Sequence, residues 1–132
     1  MRTFFGGIDL GTSNSTVGVI EGNRPRLTPL EQHHVTLPSA IFFNFENNGV
    51  LFGRNAITHY ADDVEGRLMR ALKSVLGSSL VHEKTRLKAR SVTFIDIVGM
   101  FLGHLKSKLD NHAGADVDTV VLGRPVQFVD DD

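Results

Sequence analysis

The sequence predicts an α/β protein with a mixed sheet rather than a simple doubly wound fold. Three observations carry this reading. The N-terminal stretch is a series of short apolar runs broken by turn signals, the pattern of an antiparallel meander. A long amphipathic stretch lies nearer the C-terminal end, from about Thr93 to about Asn111. A short β-branched run, DTVVL, follows it. A strand, crossover helix and strand in one sheet should be parallel and right-handed, so the sheet should carry both senses of pairing.

Taken in order, Thr3 to Leu10 reads as a buried strand and Thr16 to Glu21 (TVGVIE) alternates as its hairpin partner. Gly22-Asn23 signals a turn, and Arg26 to Leu30 completes the meander. Ser39 to Phe45 is a further strand. Pro38 stands before it, because proline cannot donate within a ladder. Asn47-Asn48-Gly49 turns that strand onto Val50 to Phe52. Arg54 to Ala61 is a short helix. Glu65 to Leu76 (EGRLMRALKSVL) reads as a second helix, because Leu68, Met69, Leu72, Val75 and Leu76 share one arc and Gly77 can end it. Ser78 to Arg90 is polar and basic and reads as a surface connection. In the long helix Phe94, Val98, Phe101, Leu105 and Leu109 recur at helical spacing. Ser91 or Thr93 can cap it, Gly114 ends it, and Gly99 and Gly103, one turn apart, suggest close packing on a sheet. Asp118 to Leu122 is a buried strand that Gly123-Arg124-Pro125 breaks.

Bulk properties narrow the function classes. The 132 residues suffice for one compact domain with a core. Hydrophobic residues make up 41%, an ordinary level for a soluble globular chain. A formal net charge of -1 gives no pull toward nucleic acid or an acidic membrane surface. The absence of cysteine removes disulfides and thiolate metal sites. No apolar stretch approaches the roughly 20 residues that span a bilayer. The opening MRTFFGGID turns polar too soon for a signal peptide. The expectation is a cytoplasmic protein with neither nucleic-acid nor membrane partners. VVLGRPVQFVDDD stops soon after an apolar strand, which suggests a truncated chain whose last strand has an open edge suited to self-association.

The chemistry concentrates in GGIDLGTSNST, Gly6 to Thr16. A buried strand must satisfy each polar group it carries. Asp9, at the end of such a strand, does so if it faces a cation or ordered water. The following turn from Gly11 exposes successive backbone N–H groups, and Thr12, Ser13 and Asn14 add side-chain donors. A tip of this kind can cradle phosphate oxygens without a lysine. Asp9 beside it can hold magnesium through water, since that ion keeps most of its hydration shell. The plainer alternative is a polar hairpin turn with a capping aspartate.

GIDLGTSNS resembles the first phosphate-binding hairpin of the actin-like ATPase superfamily, which includes DnaK-type heat-shock chaperones, actin-like filament proteins and sugar kinases. Further segments resemble the DnaK type: Asn14 after the hydroxyl pair, LPSAIFF (Leu37 to Phe43), ALKSVLG (Ala71 to Gly77) and DTVVLGRPVQF (Asp118 to Phe128). They occur in the family's order and span nearly the whole chain. There are also departures. Ser13 replaces a usual threonine, Gly123-Arg124 precedes Pro125 where the main chaperones have Thr-Val, and the segment from Leu37 to Ser91 is short. These point to a divergent, YegD-like branch.

The resemblance implies an N-terminal fragment of an ATPase domain that uses ATP or ADP with magnesium and works with protein clients or co-chaperones. Residues 1–36 and 91–132 would form a ribonuclease-H-like half-lobe, and residues 37–90 a smaller inserted α+β subdomain. The backbone at Gly11, Thr12, Ser13 and Asn14 would hold nucleotide phosphate, Asp9 would hold magnesium through water, and Lys73 would face the terminal phosphate. Asp9 and Lys73 would be the catalytic pair. The family's second phosphate loop, adenosine pocket and later carboxylates would lie beyond Asp132, leaving the isolated chain inactive. A small-molecule kinase and an actin-like filament scaffold share the first hairpin and stand as alternatives.

Other residues read more simply. Taken alone, Lys73 is a solvated helix lysine at the edge of an apolar arc, able to snorkel over the core. His33 and His34 are adjacent, so on a strand they would point to opposite faces. His104 and His112 are about two turns apart, too far for one ion. Arg86, Lys88 and Arg90 read as a basic loop. Phe42, Phe43, Phe45 and Phe52 read as core packing rather than a base-stacking platform, and Asp130 to Asp132 as a solvated end.

Overall fold

A computed structural model describes residues 5–21, 24–70, 72–73, 78, 82–87, 90–114, 117 and 119–123. The meander is present: β1 (Phe5–Leu10), β2 (Asn14–Glu21) and β3 (Arg24–Leu27) pair antiparallel. The third strand lies two residues earlier than the sequence suggests. Thr28 and Leu30, read as strand, are buried in irregular backbone instead. A two-residue β4 (Leu37–Pro38) pairs with the start of β2, matching Asn14 with Pro38 and Ser15 with Leu37.

A second sheet is built from β5 (Ile41–Asn44), β6 (Val50–Phe52) and β7 (Gly66–Met69), with β5 in the middle. Helix α1 (Arg54–Ala61) has the bounds the sequence indicates. Its N-terminus lacks a side-chain cap from Gly53 and is served from a distance. The Glu31 carboxylate accepts from the Arg54 backbone N–H (2.9 Å) and pairs with its guanidinium (2.7 Å). Ala40, Phe42 and Ala56 make a small core here, flanked by Leu51, Ile57, Val64 and Leu68.

β7 corrects the expected helix over Glu65 to Leu76. Gly66 to Met69 is strand, paired with β5 from Ile41↔Met69 to Asn44↔Gly66. Leu72 and Lys73 are helical, and residues 74–77 lie outside the described part. The expected surface connection is also corrected. β8 (Lys84–Leu87) and β9 (Arg90–Thr93) form a hairpin in which Thr85 and Leu87 face inward. Arg86 and Arg90 therefore belong to strands, while Lys88 lies outside the described residues.

The long helix α2 (Phe94–Ala113) starts at Thr93, whose Oγ1 accepts from the Asp96 N–H at 3.2 Å, and stops at Gly114 in the left-handed conformation. Its buried stripe is Ile97, Val98, Phe101, Leu105 and Leu109, which packs into the main core with Ile8, Leu10, Val17, Val19 and Leu37. Full burial of such a side chain stabilises the fold by about 1.5–3 kcal/mol. Gly99 and Gly103 are exposed, and a Cβ on either would touch nothing within 4 Å. They lie on the outer face of the helix, not against the sheet. The last strand, β10 (Thr119–Gly123), pairs parallel with β1 in the order β10-β1-β2-β3. Among the described residues β10 is paired on one side only. No helix among them is long and apolar enough to cross a membrane.

Candidate functional site

The ladder between β1 and β2 closes at Leu10↔Ser15, leaving Gly11 to Asn14 as the hairpin tip. The tip is tight: a Cβ on Gly11 would sit 2.3 Å from the Asn14 carbonyl oxygen, so only glycine fits. Gly11 is buried, whereas Thr12, Ser13 and Asn14 are exposed.

Ser39 fixes the tip from outside the hairpin. Its Oγ donates to the Gly11 carbonyl at 2.8 Å, and its backbone N–H donates to the Ser13 carbonyl at 2.9 Å. A hydroxyl has one proton to give. The 2.8 Å contact between the Ser15 and Ser39 hydroxyls therefore has Ser15 as donor. The Gly11 and Ser13 carbonyls are thus both engaged by Ser39. Among the described residues the Thr12 and Ser13 N–H groups have no acceptor. This is the arrangement an anion-binding nest requires.

Asp9 sits one strand position before Leu10 with only 4% of its surface exposed. Its Oδ1 is buried without a hydrogen-bond partner. Burial pushes the carboxyl above its usual range, and the Lys73 ammonium acts in the opposite direction. The second effect brings Lys73 into the site's electrostatics although it is distant in sequence. The apolar arc that first suggested its orientation does not exist, because Leu68 and Met69 lie on β7. Lys73 instead follows the fully buried Leu72 and is itself half-buried. A buried carboxylate oxygen without a donor is satisfied by a cation or its water shell, so the residues present fit a hydrated magnesium ion.

A cleft of about 350 Å3 opens beside the tip, lined by Thr12, Ser13, Ser39, Ile57 and Arg70. Sequence reasoning missed two of these. Ser39 stood only inside a recognised segment, and its role as an anchor depends on contacts across 28 residues. Arg70 reaches the cleft because of the β5–β7 register, for which nothing local in the sequence gives a signal.

The histidines fall elsewhere. His33 and His34 occupy a turn rather than a strand, and their rings stack at 5.3 Å instead of pointing apart. His104 stacks on Phe52 at 4.1 Å in a separate cleft of about 530 Å3 that Glu31, Arg54 and Lys108 also line. Phe42 and Phe43 are buried and Phe45 and Phe52 partly so, all packed in the cores.

The family described as Hsp70 protein matches residues 5–132. The match runs from β1 and includes the hairpin tip, its Ser39 anchor, Asp9 and Lys73. On that match over nearly its whole length, the chain belongs to the Hsp70 family of ATP-binding, heat-shock-type chaperones.

Proposed function

We propose that this chain supplies the first phosphate-binding hairpin of a chaperone-type ATPase from a divergent, YegD-like branch. In this reading residues 1–36 and 91–132 form the ribonuclease-H-like half-lobe, and 37–90 the inserted subdomain. The amides of Gly11, Thr12, Ser13 and Asn14 take phosphate oxygens. Asp9 holds magnesium through water, and Lys73 faces the terminal phosphate. The observation that carries the reading is Asp9 itself: a buried carboxylate with an unpartnered oxygen, beside a tip where, among the described residues, the Thr12 and Ser13 amides have no acceptor.

Transfer of a phosphoryl group to water relies on positioning and charge neutralisation more than on covalent chemistry from the protein. Magnesium, when bound, neutralises charge on the phosphate oxygens. The rest is done by this chain. The tip orients the phosphates through fixed amides, which need no rearrangement as charge shifts. Asp9 holds the hydrated ion at the floor. Lys73 places a positive charge where negative charge moves during transfer. Coupling of nucleotide state to protein clients or co-chaperones, in the cytoplasm, completes the proposed role. The edge of β10 left unpaired among the described residues would give the isolated residues a route to self-association.

Calorimetric titration tests this with two samples. The full-length protein should bind ATP with magnesium. The 132 residues alone carry one of the family's two phosphate hairpins and should show millimolar binding or none, without turnover. Low-micromolar binding with turnover by these residues alone would overturn the shared-site reading. Failure of the full-length protein to bind any nucleotide would overturn the ATPase reading itself.

A further inference from the structure

Arg70 stands at the cleft beside the hairpin tip, and no role in the proposed chemistry has yet been given to it. It follows Met69, the last residue of β7, which pairs with Ile41 of β5. One step further along that antiparallel register lies Ala40, next to Ser39. Ser39 in turn holds the Gly11 and Ser13 carbonyls. A continuous backbone path therefore fixes Arg70 relative to the tip, and Arg70 lines one cleft with Thr12 and Ser13. Arg70 is exposed, and among the described residues it has no carboxylate partner. Arg54 and Arg67 differ. Arg54 pairs with Glu31, and Arg67 donates to the Thr85 hydroxyl and the Arg86 carbonyl.

A guanidinium is always charged, and its planar fork matches two oxygens of a phosphate. The same cleft supplies hydroxyl donors from Thr12 and Ser13. Among the described residues no carboxylate lines this cleft. The grouping suits an oxyanion and would repel nothing about it.

We propose that Arg70 is a second phosphate-binding cation of the site, anchoring a phosphate oxyanion at the cleft mouth against the hydroxyls of Thr12 and Ser13. Lys73 and Arg70 then divide the work. Lys73, half-buried and acting on Asp9, belongs to the floor. Arg70, exposed and unpaired, governs capture and retention. The phosphate belongs either to the chain of a nucleoside triphosphate or to free inorganic phosphate. The first source rests on the nucleotide reading above, and the second does not.

The test uses the full-length protein, Arg70→Gln and Arg70→Lys, titrated with ATP and magnesium, with inorganic phosphate and with adenosine. Arg70→Gln should weaken ATP binding roughly tenfold, the scale of one charge-assisted contact. Arg70→Lys should recover part of the loss, adenosine binding should not change, and the defect should shrink as salt rises. An Arg70-dependent loss for ATP with none for inorganic phosphate assigns the nucleotide chain as the source. If the protein binds no ATP but binds inorganic phosphate through Arg70, the inference stands and the nucleotide reading falls. If Arg70→Gln binds ATP and phosphate as tightly as the unaltered protein, the inference is overturned and the nucleotide reading survives. If the unaltered protein binds neither, both are overturned.

Discussion

Ser39 Oγ donates to the Gly11 carbonyl at 2.8 Å, across 28 residues of sequence. The contact joins the bend between β4 and β5 to the hairpin tip. Ser39→Ala would leave the buried Gly11 carbonyl and the Ser15 hydroxyl without their partner. The expected cost is about 1–3 kcal/mol of stability, read by denaturant unfolding, together with weaker ATP binding. Ser39→Thr should keep the hydroxyl and preserve more of both. An unchanged unfolding midpoint in Ser39→Ala would show that the link does not constrain the tip.

In the proposed role, facing the charge that moves during transfer, Lys73 should matter more to turnover than to binding. In the full-length protein, Lys73→Ala should slow ATP hydrolysis by roughly a hundred- to a thousandfold while changing ATP affinity little. Lys84→Ala, on the exposed side of β8, is the matched control and should leave both alone. Hydrolysis at the original rate in Lys73→Ala would make it an ordinary surface lysine.

Asp9 carries a stability cost in the empty protein. Burial raises its carboxyl above the usual value of 3.8, so the folded state holds that proton more tightly than the unfolded state. The contribution to stability is full below pH 3.8 and is lost as pH rises through the folded value. Near neutral pH, Asp9→Asn should therefore stabilise the nucleotide-free protein, by on the order of 1 kcal/mol. The same change should remove magnesium-dependent nucleotide binding. Calorimetric melting with and without magnesium and ATP measures both; a lower melting temperature for Asp9→Asn without ligand would contradict the argument.

His104 gives the opposite pH dependence. Burial first, then the Lys108 ammonium, holds its imidazole below the usual value of 6.5, with Glu31 pulling the other way. Arg54 and His34 line the same cleft. The unfolded chain then takes up the proton first, so stability falls as pH drops from 6.5 through the folded value and is unaffected above it. His104→Phe keeps a ring against Phe52 and should flatten the fall of melting temperature below pH 6.5. A fall of the same size in the variant would assign the effect to other groups.

The sequence shows elements whose determinants are local. The meander, α1, the Thr93 cap and the Gly114 stop follow from alternation, capping and turn residues close in the chain. It fails where a distant partner decides. Leu68 and Met69 fit a helical arc and a strand equally well. Pairing with β5 settles the matter, and a Cβ on Gly66 would meet the Phe43 carbonyl oxygen at 2.2 Å and the Phe42 ring at 2.5 Å. The β8–β9 hairpin was readable in principle from the alternation of Lys84, Thr85, Arg86 and Leu87, but the run of basic residues masked it. Within the site, Asp9 and the tip were legible because hairpin chemistry is local. Ser39 as an anchor and Arg70 as a cleft residue were not, because both arise from strand register.

The parallel pairing of β1 with β10 also sets an order of events during synthesis. Asp9 lies in register with Gly123, so one flank of its strand waits for a partner made near the far end of the described chain. At ribosomal rates of about 5–20 residues per second the delay is on the order of ten seconds. Until then the hairpin tip can close, since its own two strands are adjacent, but the floor beneath Asp9 lacks a wall. The proposed phosphate hairpin is thus completed in two stages on the ribosome. Nascent chains arrested before Thr119 should leave β1 protease-sensitive, chains extended past Gly123 should protect it, and equal protection in both would refute the sequence of events.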